Sequence, residues 1–213
     1  NGYAVGGGAG VCGGTVQDCR IVNNRTAAFG AGAKYAIVER CLVAFNCIEG
    51  ETATGGGAYE CTLYNCLVVS NELVAAGEYF YVQGAGVASS SLYGCTVCDN
   101  VLTAIFDGEN SEAHGAGISN CEAYNTIVWH NMLNGVADEE YATWNFSCRW
   151  LSDPAFIPGT HRLSSTSPCV DAGDNAYAFG AYDFAGTNRV LWSRVDIGAY
   201  ECTEEKKESS SGE

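Results

Sequence analysis

GAGVCGGTVQDCRIVNN, residues 8–24, sets glycine and two closing asparagines around apolar residues spaced like the core of a strand. The same words return in order as GAGAKYAIVERCLVAFN from Gly30, GGGAYECTLYNCLVVSN from Gly55, GAGVASSSLYGCTVCDN from Gly84 and GAGISNCEAYNTIVWHN from Gly115. Each copy is 17 residues long and all align without a gap. Self-similarity at this spacing signals stacked supersecondary units. Val16, Val38, Leu63, Leu92 and Ala123 share one column, and Ile21, Val43, Val68, Val97 and Val128 share another. Alternate strand residues share a face, so both columns are expected to point inward. Short strands separated by Gly and Asn, with too little chain between them for a crossover helix, predict an all-β parallel β-helix, a solenoid.

The glycines are expected where coils turn sharply and backbones stack closely, because glycine accepts positive φ and close approach. Asn24, Asn46, Asn71, Asn100 and Asn131 are expected at the other bend, in the left-handed conformation, and bonded to one another along a ladder. Cys19, Cys41, Cys66 and Cys95 occupy one column, with Thr126 in the last copy, and read as an inward ladder of thiols acting as compact hydrophobes. Cys148, Cys169 and Cys202 lie outside the repeats and are the better disulfide candidates. Cys12, Cys47, Cys61, Cys98 and Cys121 show no shared register that would fix disulfide partners.

The chain has 213 residues and a formal charge of −15, from 25 acids against 10 bases. That balance argues against nucleic acid, anionic lipid and acidic polymers as partners. No run approaches the roughly 18–20 apolar residues of a membrane span, and the N-terminus lacks a signal-peptide pattern. The expectation is a soluble chain, mature or a fragment, with no membrane span.

The repeats resemble those of right-handed parallel β-helix proteins of pectate-lyase-like architecture. Their GGGA, GAGV and GAGI starts with a closing Asn also resemble the repeats of chlamydial polymorphic outer-membrane proteins, which are adhesins. After the repeats, DPAFIPGTHRLSSTSPCVDAGDN and YDFAGTNRVLWSRVDIGAYEC are similar to the closing segment of bacterial choice-of-anchor Q domains. These resemblances cover about residues 6 to 202. They imply a right-handed helix, a bacterial source and a secreted or cell-surface location, without fixing an activity. Residues 1–144 are expected to form the coils and 145–202 a closing segment of the same domain. Residues 203–213 read as a polar tail or linker.

The intervals between copies lengthen from RTAAF through CIEGETAT and ELVAAGEYFYVQ to VLTAIFDGENSEAH. All leave from one bend, so they should emerge along one edge, where insertions commonly build a binding face. Acids there, including Glu49, Glu51 and Glu72, are interleaved with aromatics such as Phe29, Phe80 and Phe106. Aromatic faces beside carboxylates suit a neutral sugar. The expected ligand-binding set is Glu78, Tyr79, Tyr81, Asp107, Glu109 and Glu112, with Asp138, Glu139, Tyr141 and Trp144 from the segment after the last repeat. Compact loops with small cores of their own are the alternative reading of the same composition. Tyr64, Tyr93 and Tyr124 form an outward column, either a sugar platform or a cross-strand ladder. Leu42, Leu67, Ile127 and Trp129 also point outward, on strands apolar on both faces, so residues 145–202 are expected to cover them.

A polysaccharide lyase needs a base and clustered cations. Lys34 and the arginines are scattered, and His161–Arg162 and Arg189/Arg194 lie in the closing segment, where an Arg is expected to pair with Asp171, Asp183 or Asp196. A glycoside hydrolase needs two carboxylates about 5–10 Å apart, and no spacing singles out a pair. The catalytic residues are therefore unassigned. No metal site is assigned: CTVC, Cys95 to Cys98, has no second half, and His114, His130 and His161 adjoin no nucleophile motif. No cofactor is expected, calcium at the acidic loops or the DAGDN run being left open. The sequence points to a binding or adhesion module for a polysaccharide or glycan. A carbohydrate-active hydrolase, a lyase, and a fibre subunit self-associating through the solenoid ends are the alternatives.

Overall fold

The computed structural model describes residues 3–4, 9–77, 81–106, 112–137, 142–145 and 153–204, of which 3–4, 106 and 142–145 are described as backbone alone. Left-handed backbone recurs every five residues through each coil. Gly30, Tyr35, Arg40 and Phe45 have φ of 57°, 55°, 45° and 55°. Gly55, Glu60, Asn65 and Ser70 repeat the rhythm, followed by Gly84, Ser89, Gly94 and Asp99, and then Gly115, Asn120, Asn125 and His130. Each such residue is a corner, and a short strand runs between corners, so every coil has four sides. The first side is a 5-stranded parallel sheet running from Val11–Cys12 to Ile118–Ser119. The second has 6 strands, from Thr15–Gln17 to Ala142–Asn145, and the third has 5, from Arg20–Val22 to Ile127–Trp129. The parallel β-helix expected from the repeats is the fold.

Side chains three residues past a corner fill the axis. Ala33, Val38, Val43 and Ile48 do so in the second coil, each at 0% exposure. Strand pairing joins Val16, Val38, Leu63, Leu92 and Ala123 in one row, as the gapless alignment requires. The residue just past each corner also points inward and is small: Ala31, Ala36, Cys41 and Asn46 are all buried.

The G-x-G words serve two needs. Gly30 turns the corner with positive φ, whereas Gly32 is held by crowding: a Cβ there would stand 2.3 Å from the Gly57 carbonyl oxygen and 2.9 Å from Asn46 Nδ2. The asparagine column differs from expectation in one respect. The left-handed residue at that bend is the one before each asparagine, Asn23, Phe45, Ser70, Asp99 or His130. The asparagine itself turns inward. Asn71 Oδ1 accepts from the Asn46 backbone N–H at 3.1 Å and from Asn46 Nδ2 at 2.9 Å. Asn71 Nδ2 donates to Asn100 Oδ1 at 2.9 Å and to the Val43 carbonyl at 3.0 Å. The same ladder joins Asn24 to Asn46 and Asn100 to Asn131.

The cysteine column is likewise a ladder of thiols. Cys41 N–H donates to Cys66 Sγ at 3.4 Å, and Cys95 N–H to Thr126 Oγ1 at 3.3 Å, so a hydroxyl replaces a thiol without loss. A second column, already aligned by the repeat, sets Cys61 and Cys121 just past a corner with Ala36 and Ser90, and the Cys61 N–H donates to Ser90 Oγ at 3.0 Å. Burial pushes the Cys61 thiol up to about 11 and Cys121 to about 12, which keeps both protonated. Cys169 is disulfide-bonded, Cys148 lies outside the described residues, and Cys202, contrary to expectation, is a buried thiol.

Residues 153–204 lie over the second and third sides. Leu67 is 6% and Ile127 1% exposed, and Leu42 and Trp129 are half-buried. Phe184 and Tyr200 pack on the cluster of Ala44, Leu67, Val69 and Cys98, while Leu163, Val170, Ile197 and Cys202 pack on Ile127. Over the second side, Tyr64, Tyr93 and Tyr124 stack at centroid spacings of 5.3 and 5.0 Å. Tyr177 extends the stack and Phe179 leans on Tyr64 and Tyr93, so this column is a cross-strand ladder partly covered by the closing segment.

The segment is fastened by buried polar groups in a way that corrects the expected Arg–Asp pairing. Arg189 pairs with Glu201 and donates to the carbonyls of Asp196 and Gly198. Asp183 accepts backbone N–H groups of Ala185, Thr187 and Glu201, and Asp196 those of Asp171 and Cys202. The guanidinium occupies space left by Gly94, where a Cβ would meet Arg189 Nη2 at 2.5 Å. Burial raises the Glu201 carboxyl to about 8 against the pull of Arg189, and its Oε2 meets no donor among the described residues.

Two measurements test this account. Asn71→Ala strands the Asn46 N–H in the core and removes the amide bonds to Asn46, Asn100 and the Val43 carbonyl, and should lower unfolding free energy by about 2–4 kcal/mol in denaturant titration. Glu201 holds a proton in the folded protein that the unfolded chain, at its ordinary value of 4.5, releases. Its contribution is therefore full below pH 4.5 and lost as pH rises toward 8. Glu201→Gln should flatten the fall in stability over that window, and an unchanged slope would refute the assignment.

Candidate functional site

The lengthening intervals widen the fourth side, a 7-stranded sheet. Its strands Glu72–Gly77 and Val101–Phe106 are 6 residues long and pair throughout. The chain then returns through a separate two-stranded sheet, in which Tyr81–Gln83 pairs in parallel with Glu112–His114. Between outgoing and returning strands lies a second core of Ile48, Ala53, Leu73, Ala75, Val82, Leu102, Ala104 and Ala113. The insertions thus form a thin two-layered lobe whose small residues let the layers approach; its core is aliphatic, and Tyr81 stands outside it.

The returning strands alternate as strands must. Val82 and Ala113 face the lobe core, which turns Tyr81 and Gln83 outward beside Glu112 and His114. The register sets Tyr81 against Glu112 and Gln83 against His114. Tyr81 is 51% exposed, and its hydroxyl donates to Gln83 Oε1 at 3.4 Å. Ser119 Oγ, from the adjoining first side, donates to the same oxygen at 2.7 Å, and His114 Nε2 stands 3.7 Å from Glu112 Oε2. The patch offers one aromatic ring with a carboxylate, an amide and an imidazole on a pair of strands, and the buried Ser119 hydroxyl fixes the amide.

Of the residues expected to bind ligand, Tyr81 and Glu112 are brought together here. Trp144 lies on the second side, in register with Ala123, away from this edge. Glu78, Tyr79, Asp107, Glu109, Asp138, Glu139 and Tyr141 lie outside the described residues. Gln83, His114 and Ser119 were not anticipated; the apolar–polar alternation in YVQ and EAH was the available signal.

Other groups on the acidic edge are engaged. Glu49 pairs with Arg25, and the Cys47 thiol, pushed up to about 11 by burial, lies 3.9 Å from both Glu49 and Glu72. Phe29 packs on Tyr59 and, with Tyr35, surrounds the Lys34 ammonium at 4.8–5.7 Å from the three ring centroids. In the DAGDN run, Asp174 caps the short turn at Asn175–Tyr177 and Asn175 bonds backbone at Ser193 and Val195. The cations of the closing segment are dispersed: Arg162 lies over Tyr200 and Arg194 bonds the Gly173 carbonyl. His130 and His161 instead converge on Asp99, and Cys98, Asp99 and His161 place their ligand atoms within 4.8 Å of one another. Compared with known proteins, the chain matches no family model, no curated protein and no solved structure at a significant level.

Proposed function

We propose that this chain is a secreted or cell-surface binding module that holds a neutral glycan on the returning strands of its widened side. The observation that carries the reading is the pairing of exposed Tyr81 with Glu112, flanked by Gln83 and His114. A sugar presents a C–H face that stacks on an aromatic ring and hydroxyls that bond to carboxylate and amide, and these groups stand side by side. The formal charge of −15 disfavours acidic polymers. The likeness of the closing segment to bacterial choice-of-anchor Q domains, and of the repeats to adhesin repeats, supports the location and the adhesive role.

Titration calorimetry against neutral and acidic oligosaccharides, with size-exclusion chromatography of the polymers, tests the proposal. A neutral glycan should bind, and Tyr81→Ala should weaken it at least tenfold, about 1.4 kcal/mol, with an unchanged melting temperature. Binding that survives Tyr81→Ala would remove the site. A polymer that shortens with time would replace the binding module by a hydrolase.

A further inference from the structure

Cys98 ends the third-side strand Thr96–Cys98, and Asp99 is the corner that follows it, with φ of 56°. Successive residues of an extended strand face opposite ways, and the left-handed corner breaks that alternation, so thiol and carboxylate meet one locus. His130 holds the same corner one coil further on, also with positive φ, and its Nδ1 is 2.7 Å from Asp99 Oδ1. His161 arrives from the closing segment, its ring edge against Phe156, and sets Nε2 3.4 Å from Asp99 Oδ2. Cys98 Sγ, an Asp99 carboxylate oxygen and a His161 nitrogen all lie within 4.8 Å of one another.

From this convergence we infer a binding site for a borderline-soft divalent ion of the zinc class, with Cys98, Asp99 and His161 as ligands and His130 orienting Asp99 from its other oxygen. The donor set selects the ion. Calcium and magnesium take oxygen ligands alone, whereas one sulfur, one imidazole nitrogen and one carboxylate suit zinc. In a tetrahedral site with bonds of about 2.0–2.3 Å, ligand atoms stand roughly 3.3–3.8 Å apart, so the side chains close by about 1 Å around the ion. Access is graded: Cys98 is 1% exposed, while the His161 and Asp99 side chains are 29% and 43% exposed. An ion therefore enters from the imidazole and carboxylate and reaches the sulfur last. The same burial argues against the other chemistry that Cys, His and Asp can perform, because a nucleophilic thiol must be open to its substrate. The bound ion displaces the Cys98 proton and joins one coil of the solenoid to the closing segment, with His130 of the next coil attached through Asp99, and so acts as a clamp.

Cobalt(II) and zinc(II) are the probes, used on the full chain in a Cys12→Ser/Cys19→Ser background, since those two thiols are exposed. One cobalt per chain should give thiolate-to-metal charge-transfer absorption, displaced by one equivalent of zinc, and zinc but not calcium should raise the melting temperature. Cys98→Ser should abolish the absorption. His161→Ala, at a partly exposed position, should weaken binding at least a hundredfold and remove the thermal shift. His130→Ala should weaken binding roughly tenfold, the size of an outer-shell effect. No charge-transfer band in the parent, or a band and thermal shift that persist in His161→Ala, would overturn the site.

Discussion

Stacking identical coils at the strand spacing of about 4.8 Å makes every side chain the neighbour of its own counterpart. Only residues that tolerate a copy of themselves can fill such a column, and asparagine in the core does more than tolerate it. Its oxygen accepts from the coil behind, and its amide donates both to the coil ahead and to the carbonyl of the inward valine behind. The amide is thus satisfied only in register, and a coil slipped by one residue would bury it unpaired. Valine, thiol and tyrosine columns fit the same condition by packing, weak S–H bonding and ring stacking. Acids fail it when buried, and so stand outward, or inside the closing segment against Arg189 and backbone N–H groups.

The same ladder explains how the corners vary. A left-handed conformation disfavours most side chains by roughly 1–2 kcal/mol, yet Tyr35, Arg40 and Phe45 adopt it in succession. The bonds and core contacts of the adjoining inward residues hold the backbone there. Corner side chains point outward and are released from the repeat, which leaves those positions open to binding chemistry such as Asp99 and His130.

This division also governs what the sequence disclosed. The inward columns were legible as gapless 17-residue words because they vary only among small and apolar residues that stack on one another. The five-residue corner rhythm was hidden because its residues share a conformation and not a chemistry: glycine and asparagine suggest positive φ, phenylalanine and arginine do not. Apolar faces on both sides of the third-side strands announced a cover, and Leu67 and Ile127 are buried under it. The fastening was not legible, since Arg189 and Glu201 find each other only after the segment has folded back; the one trace was Gly94, a glycine in a column otherwise held by larger residues. Tyr81 and Glu112 were singled out by composition, but they sit in insertions of unequal length, ELVAAGEYFYVQ and VLTAIFDGENSEAH, so their pairing shows only when residues are counted back from Gly84 and Gly115.

The cover decides where a partner can be met. By lying over the second and third sides, residues 153–204 bury Leu67, Val69 and Ile127 of the apolar strands and leave the tyrosine column half-buried. On the first side Phe29, Tyr35 and Tyr59 surround Lys34, and Tyr35 stays exposed. The lobe on the fourth side keeps Tyr81 and polar groups of its returning strands facing solvent, and it is also the place where the chain can lengthen without disturbing register. An insertion there leaves the Asn-ladder corner along Glu72–Gly77 or Val101–Phe106 and re-enters at a G-x-G word, so its ends are set by the coil and its length is not. Because successive insertions pair with each other, added residues become strand and not slack loop, and the groups they carry are held in fixed register across coils. A solenoid of this kind acquires a rigid site by widening one side, while the ladder that carries its stability stays unchanged.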